Sequence, residues 1–284
     1  MQRASLATAL AVAASTSASA AVLFDNGPIV THPTGGTGSI LGQPISQADP
    51  FTVPGSTFVF STTGLGASIP LNTAAAEDFT VPVEGWDLDT LTVYAFQTSQ
   101  TTATITSVRV NLWTAPPFDA NSPPPLPDPL PQPILATSLL LPAGPGTFVA
   151  HRQSSSSTST ARPVYAYTVS LDVLPDEGRL GPGTYWIEFS MGGALSPSSN
   201  VFVPLVSPRT SAVNLNARLF NIPFSGSPLT WFETREGFVD AANPGRPVAL
   251  PFQLGGTVLP EPALASTLGL GMILLSRRRP VVRA

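Results

Sequence analysis

Five carboxylates stand within thirteen residues: Glu77, Asp78, Glu84, Asp87 and Asp89. Hard oxygen donors gathered in this way suit calcium, which takes about six to eight of them, and Glu77, Asp78, Asp87 and Asp89 are the candidate ligands. In an extended chain the Asp87-x-Asp89 spacing puts both side chains on one face. The simpler reading is a solvated turn around Trp86 whose acids supply solubility. Two such acids would also serve a glycosidase, provided they face each other across a sugar cleft at about 5–9 Å. The sequence shows no cleft of that kind.

The other flat, chemically useful groups are the tryptophans, Trp86, Trp113, Trp186 and Trp231. Indole faces with polar neighbours suit sugar rings, so Trp86, Trp113 and Trp186 are the candidate glycan contacts; core packing is the competing use of the same residues. Trp186 and Glu188 alternate opposite Tyr185, Ile187 and Phe189, which places the first two on an outer face if the segment is a strand. The two histidines, His32 and His151, have no ligand-spaced neighbour at i+4, and without cysteine a zinc site would need both of them plus carboxylates. There is no G-x-S-x-G nucleophile elbow. The glycine-rich "GGTGSILG" (35–42) lacks a lysine and no helix follows it, so it reads as a loop rather than a phosphate cradle. No catalytic residue is assigned, and the expectation is a protein that is not an enzyme.

Strands must position these groups. "SVRVNLW" (107–113) alternates, with Val108, Val110 and Leu112 inward. "VYAYTVSLDV" (164–173) puts Tyr165, Tyr167, Val169, Leu171 and Val173 on one face, and "VNLNARLF" (213–220) does the same with Val213, Leu215, Ala217 and Leu219. "TLTVYAF" (90–96) and "TYWIEF" (184–189) are rich in β-branched and aromatic residues. Period-two patterns separated by Gly/Pro clusters such as "PDEGRLGPG" and "NPGRP" indicate half-buried antiparallel strands. The expected fold is all-β, an antiparallel β-sandwich of jelly-roll type, over residues 22–256. Two loops interrupt it. Residues 115–133 hold nine prolines in 19 positions and read as a polyproline-like excursion, and residues 153–161 are a Ser/Thr-rich polar loop. Both are expected to hang from one hairpin-rich sheet between Trp113 and Arg162. "ADPFTVP" (48–54) and "AEDFTVP" (76–82) are near-repeats, too few for a solenoid.

Composition bounds the partners. The chain has 284 residues, room for one large domain or two small ones, and 43% hydrophobic content is enough for a core. Only 11% is charged, against about 25% in ordinary soluble domains. Lysine and cysteine are absent; between residues 21 and 257 eight arginines face sixteen acids. Such a surface repels phosphate backbones, which argues against nucleic acid. Zero cysteine removes disulfides and thiol chemistry.

The excess arginines lie in the ends. "MQRASLATALAVAASTSASA" has a basic Arg3, an apolar run and small residues at Ala18 and Ala20, the pattern of a signal peptide over residues 1–21 cut after Ala20 or Ala21. At the other end, Pro260-Glu261-Pro262 precedes a 14-residue apolar run (263–276) and then Arg277-Arg278-Arg279. A helix of that length rises about 21 Å, short for a bilayer core of about 30 Å. The arginines would hold the end on the cytoplasmic side. Together these features describe a temporary membrane stop with a stiff, exposed Pro-Glu-Pro just outside it, as in removable C-terminal anchors.

The ordered triple of Pro260-Glu261-Pro262, a Gly/Leu/Ala-rich run and Arg277-Arg278-Arg279 resembles a PEP-CTERM sorting signal, here over residues 257–284, with Leu259 where valine is frequent. The resemblance implies export from a Gram-negative, exopolysaccharide-making cell and transient anchoring in the inner membrane. It also implies processing by an exosortase and delivery to the cell surface or extracellular matrix. "AEDFTVPVEGWDLDTLTVYAF" is similar to segments of secreted bacterial β-sandwich proteins with such tails, a likeness that carries no activity with it. The expected role is structural or adhesive, in association with exopolysaccharide. A carbohydrate-binding module, calcium-dependent or not, is the alternative, and a secreted hydrolase is the third reading.

Overall fold

The computed structural model describes residues 21–35, 42–47, 64–117, 133–135, 137–153, 161–193, 200–205, 217–221, 230–236 and 246–259. Its strands in chain order are β1 (Ala21–Asp25), β2 (Ile45–Gln47), β3 (Leu65–Gly66), β4 (Ala74–Val81), β5 (Trp86–Phe96), β6 (Ile105–Trp113), β7 (Leu139–Pro142), β8 (Thr147–Gln153) and β9 (Pro163–Ser170). After a 3₁₀ turn (Pro175–Gly178) come β10 (Arg179–Leu180), β11 (Gly183–Gly193), β12 (Phe202–Val203), β13 (Arg218–Asn221), β14 (Thr230–Glu233), β15 (Arg235–Glu236), β16 (Arg246–Pro247) and β17 (Phe252–Val258). The architecture is all-β, with no α-helix among the described residues.

A nine-stranded sheet runs β1-β17-β5-β9-β8-β2, with β10 and β12 attached to β5 and β3 attached to β12, and a six-stranded sheet runs β14-β13-β4-β11-β6-β7; β15 and β16 form a separate pair. Pairing is antiparallel except at β2, which lies parallel to β8. The alternating segments behave as their pattern requires. Val108, Val110 and Leu112 of β6, Ile187 and Phe189 of β11, and Phe252 and Leu254 of β17 are all buried in one cluster that draws on both sheets. Phe79 of β4 and Trp86 of β5 stack there with rings 4° from parallel and centroids 6.1 Å apart, joining the sheets through aromatic contact. Within the nine-stranded sheet a further tie is Arg152 of β8. Its buried guanidinium donates to Ser46 Oγ at 2.9 Å and to the Leu205 carbonyl at 2.7 Å, so β2 and the 200–205 segment are fastened to β8.

Three expectations are corrected. Val173 is 61% exposed rather than inward, because β9 ends at Ser170 and a turn closed by Leu174 N–H to the Leu171 carbonyl carries the chain out of the sheet. The two loops hang from different sheets. The proline-rich excursion leaves β6 and returns at Pro133, bridged to Trp113 in the six-stranded sheet, whereas the Ser-rich segment joins β8 to β9 in the nine-stranded one. The chain changes sheets between β7 and β8, where the sequence offers only the short "AGPG". Finally, the strands of the six-stranded sheet are not all half-solvated: Ala74, Ala76 and Asp78 on the outer face of β4 are buried like Ala75, Glu77 and Phe79 on its inner face.

Residues 118–132 and 154–160, most of both loops, lie outside the described residues, as do Val213, Leu215 and the 48–54 copy of the near-repeat. So do Ala18 and Ala20, the expected C-terminal hydrophobic helix, and the motif residues Pro260, Glu261, Pro262, Arg277, Arg278 and Arg279. Among the described residues no helix is long and apolar enough to cross a membrane.

Candidate functional site

The outer face of the six-stranded sheet collects three of the four tryptophans. Register sets the layout. Trp186 of β11 stands opposite Asp78 of β4 on one side and Trp113 of β6 on the other. One step along the pleat, Glu188 lies between Ala76 and Asn111, and Ala76 also faces Arg218 of β13. A step further, Phe220 lies between Ala74 and Trp231, and Ser190 opposes Arg109. The two alanines leave a shallow floor, and Trp186 and Trp231 pack over it with Trp113 and Phe220 against them. Phe220 and Trp231 meet at 5.4 Å between centroids.

Within this layer Trp186 is fully buried and its Nε1–H has no hydrogen-bond partner. Trp113 is half-buried, and its Nε1–H donates to Glu188 Oε2 at 2.8 Å. Burial pushes the Glu188 carboxyl above the usual carboxylate range, while the Trp113 bond and the charge of Arg109 pull it back. The Trp113 ring is therefore held in one orientation by a carboxylate on the neighbouring strand, with part of its surface open to solvent. An indole fixed in this way, beside Asn111, Arg109 and Glu188, can stack on the C–H face of a sugar ring and offer polar groups to its hydroxyls. Asp78 and Glu188 occupy diagonal positions on adjacent strands, about 7–8 Å apart at Cα.

The other sequence candidates go elsewhere. Trp86 lies in the inter-sheet core at 5% exposure and Trp186 is covered by its own neighbours, so both take the competing core-packing role and neither presents a ring face to a ligand. The acidic cluster is dispersed because β4 and β5 belong to different sheets and the turn at Pro82–Gly85 carries the chain between them. Glu77 points into the core, Asp78 to the outer face of the six-stranded sheet, and Asp87 to Arg179 at 3.9 Å. Asp89 is the extra residue of a bulge, since Thr90 pairs with Gly255 and Leu88 with Gly256; Asp87 and Asp89 are both half-buried on either side of buried Leu88, as their spacing requires, and the alternation slips only after Asp89. No three His, Asp or Glu side chains among the described residues are grouped to hold a metal ion.

Glu77 is the group that sequence reasoning placed furthest from its true setting. Its carboxylate is fully buried, accepts the Leu250 N–H at 2.6 Å and the Asp78 N–H at 3.3 Å, and so anchors the segment leading into β17. Burial raises its pKa well above the ordinary value; the Leu250 bond opposes this, and the adjacent Asp78 charge adds to it. The two histidines also come together, since His32 bridges to Ile45 and Ile45 pairs with His151 on its other side, a neighbourhood invisible at their separation in sequence.

No family model matches the chain, and no curated protein and no solved structure matches it.

Proposed function

We propose that this chain is an exported, non-enzymatic β-sandwich of jelly-roll type, sorted by its PEP-CTERM-like tail to the cell surface or extracellular matrix, where it associates with exopolysaccharide. The observation that carries this reading is the matched pair of terminal patterns. A signal-peptide pattern ends at Ala20 or Ala21, and Pro260-Glu261-Pro262 opens a short apolar run closed by Arg277-Arg278-Arg279. The strands fall between these patterns, from Ala21 to Val258. An exosortase-type enzyme would process the tail after transient anchoring in the inner membrane.

The second reading, a glycan-binding module, is favoured by one geometric feature, the half-buried Trp113 ring fixed on Glu188. Both readings are tested by titrating the protein with exopolysaccharide from the producing cells, with and without calcium, and repeating the titration with Trp113→Ala. Saturable binding lost in the variant supports a defined glycan site on this face. Binding that survives in the variant supports diffuse matrix association. Absence of any binding by the wild-type protein removes the exopolysaccharide association altogether. Turnover of a glycan or ester in the same samples would overturn the non-enzymatic reading.

A further inference from the structure

The first and last strands of the body lie side by side. Ala21, which opens β1, pairs with Gly256 of β17; β17 then runs two residues further, to Val258 opposite Trp86. Leu259 continues the contact, its N–H donating to the Gly85 carbonyl at 3.0 Å. Neighbouring strands are about 4.8 Å apart and rise about 3.3 Å per residue, so the points where residues 1–20 and 260–284 attach are about 10 Å apart. Pro260 follows a hydrogen-bonded residue directly, so no free linker separates it from the sheet.

The same end of the nine-stranded sheet gathers exposed apolar side chains. Val83 is 78% exposed in the turn whose Gly85 holds Leu259, and Val22 (62%) and Val258 (52%) lie on the two terminal strands. Val173 (61%) lies between Leu171, bonded to the Asp89 carbonyl, and Leu180, paired with Trp86. The remaining large exposed apolar residues among those described belong to other strands: Ile134 is bonded to Leu112 at the end of β6, Leu140 is in β7 and Phe148 in β8. Around the valines are the exposed acids Asp172 and Asp176 and the partly exposed Glu84, against Arg179, whose guanidinium faces Asp87.

We propose that this Trp86 end of the sheet is the face the protein turns to a lipid bilayer while its terminal segments are in place, with Val83, Val173 and Val258 resting among zwitterionic headgroups. The proposal rests on the reading of residues 1–20 and 260–284 as membrane-directed. Both segments leave the described strands from this end, one of them directly after Leu259, which is bonded to Gly85, so membrane attachment through them draws this end of the sheet toward the bilayer. The surplus of acids selects headgroups that carry an ammonium, such as phosphatidylethanolamine, over anionic ones.

The chain has no cysteine, so single cysteines report cleanly. The full chain carrying Val83→Cys, Val173→Cys or, at the opposite end of β5, Gln100→Cys is labelled with an environment-sensitive thiol dye. It is then reconstituted into phosphatidylethanolamine/phosphatidylcholine vesicles containing a headgroup-nitroxide lipid. The expected result is flotation with the vesicles and several-fold stronger quenching at positions 83 and 173 than at 100. Quenching at positions 83 and 173 should fall when phosphatidylglycerol replaces half the zwitterionic lipid, and when a Gly/Ser linker is inserted between Leu259 and Pro260. Flotation with equal quenching at all three positions, or stronger quenching at 100, overturns this proposal while leaving the tail reading intact. Failure to float removes the tail reading, and this proposal with it.

Discussion

Replacing Glu77 with glutamine should make the protein more stable at neutral pH, by an amount that grows with pH. Wild-type Glu77 is sealed in the inter-sheet core with the Leu250 N–H on one oxygen, and desolvation raises its pKa well above the model-compound value of 4.5. In the unfolded chain the same carboxyl titrates near 4.5. Below that value both states are protonated and the core carries no charge. Between the unfolded and folded values the unfolded state gives up a proton that the folded state keeps, so stability falls by about 1.4 kcal/mol for each pH unit crossed. Above the folded value the loss is complete and the curve is flat. Glutamine keeps an oxygen for the Leu250 N–H and has no titration. Urea unfolding midpoints, read from pH 4.5 to 8 for both proteins, should therefore nearly coincide at the acid end and diverge as pH rises, with Glu77→Gln above the wild type. Carboxylates that do not interact with Glu77 add the same pH dependence to both curves and cancel in the difference, whereas the adjacent Asp78, whose charge acts on Glu77, contributes to it. A gap that stays constant with pH, or a wild type that gains on the variant as pH rises, would refute the reasoning.

Further outcomes follow from the packing. Trp186→Ala removes a fully buried ring from the outer layer and should cost about 3–5 kcal/mol in denaturant unfolding. Trp113→Ala, at a half-buried position, should cost less and act mainly on glycan binding; the reverse order would contradict the described layer. Gly256→Ala puts a Cβ against the Asp87 carbonyl oxygen of the paired strand, where backbone rather than a flexible side chain must move, and should lower stability by about 1–3 kcal/mol. Wild-type stability there would show that the bulge yields freely. Tyr94, buried and near Asp25, has its phenol pushed up to about 12. Stability present below pH 10 should be lost as pH rises toward 12, and ultraviolet titration should show a latest-ionising phenol that disappears in Tyr94→Phe, behind Tyr165 and Tyr167, which burial also pushes up; an unchanged late step in the variant would exclude the burial of Tyr94.

The sequence made the all-β class legible through β6 and β11, whose strict alternation leaves one solution for which side faces the core. It could not show that "AAAEDFTV" is a single strand buried on both sides, because alternation vanishes when the outer face is covered as well. Nor could it show that "AEDFTVPVEGWDLD" splits between two sheets at a four-residue turn, the step that scatters the acids and sends Trp86 inward. The parallel pairing of β2 with β8, which brings His32 and His151 to either side of Ile45, depends on contacts between distant segments that no local pattern encodes. Of the site, the outward alternation of Trp186 and Glu188 was readable; the indole that reaches Glu188 comes from Trp113, 75 residues away.

The most direct test of export and tail-directed sorting is the intact mass and location of the protein made by its own cells. The expected species begins at Ala21 or Val22, lacks the apolar run and arginines beyond Pro-Glu-Pro, and is recovered from the cell surface or medium. Replacing Pro260, Glu261 and Pro262 with alanine should leave an uncut, membrane-held form. Full-length chain recovered from the cytoplasm would contradict the reading at its root.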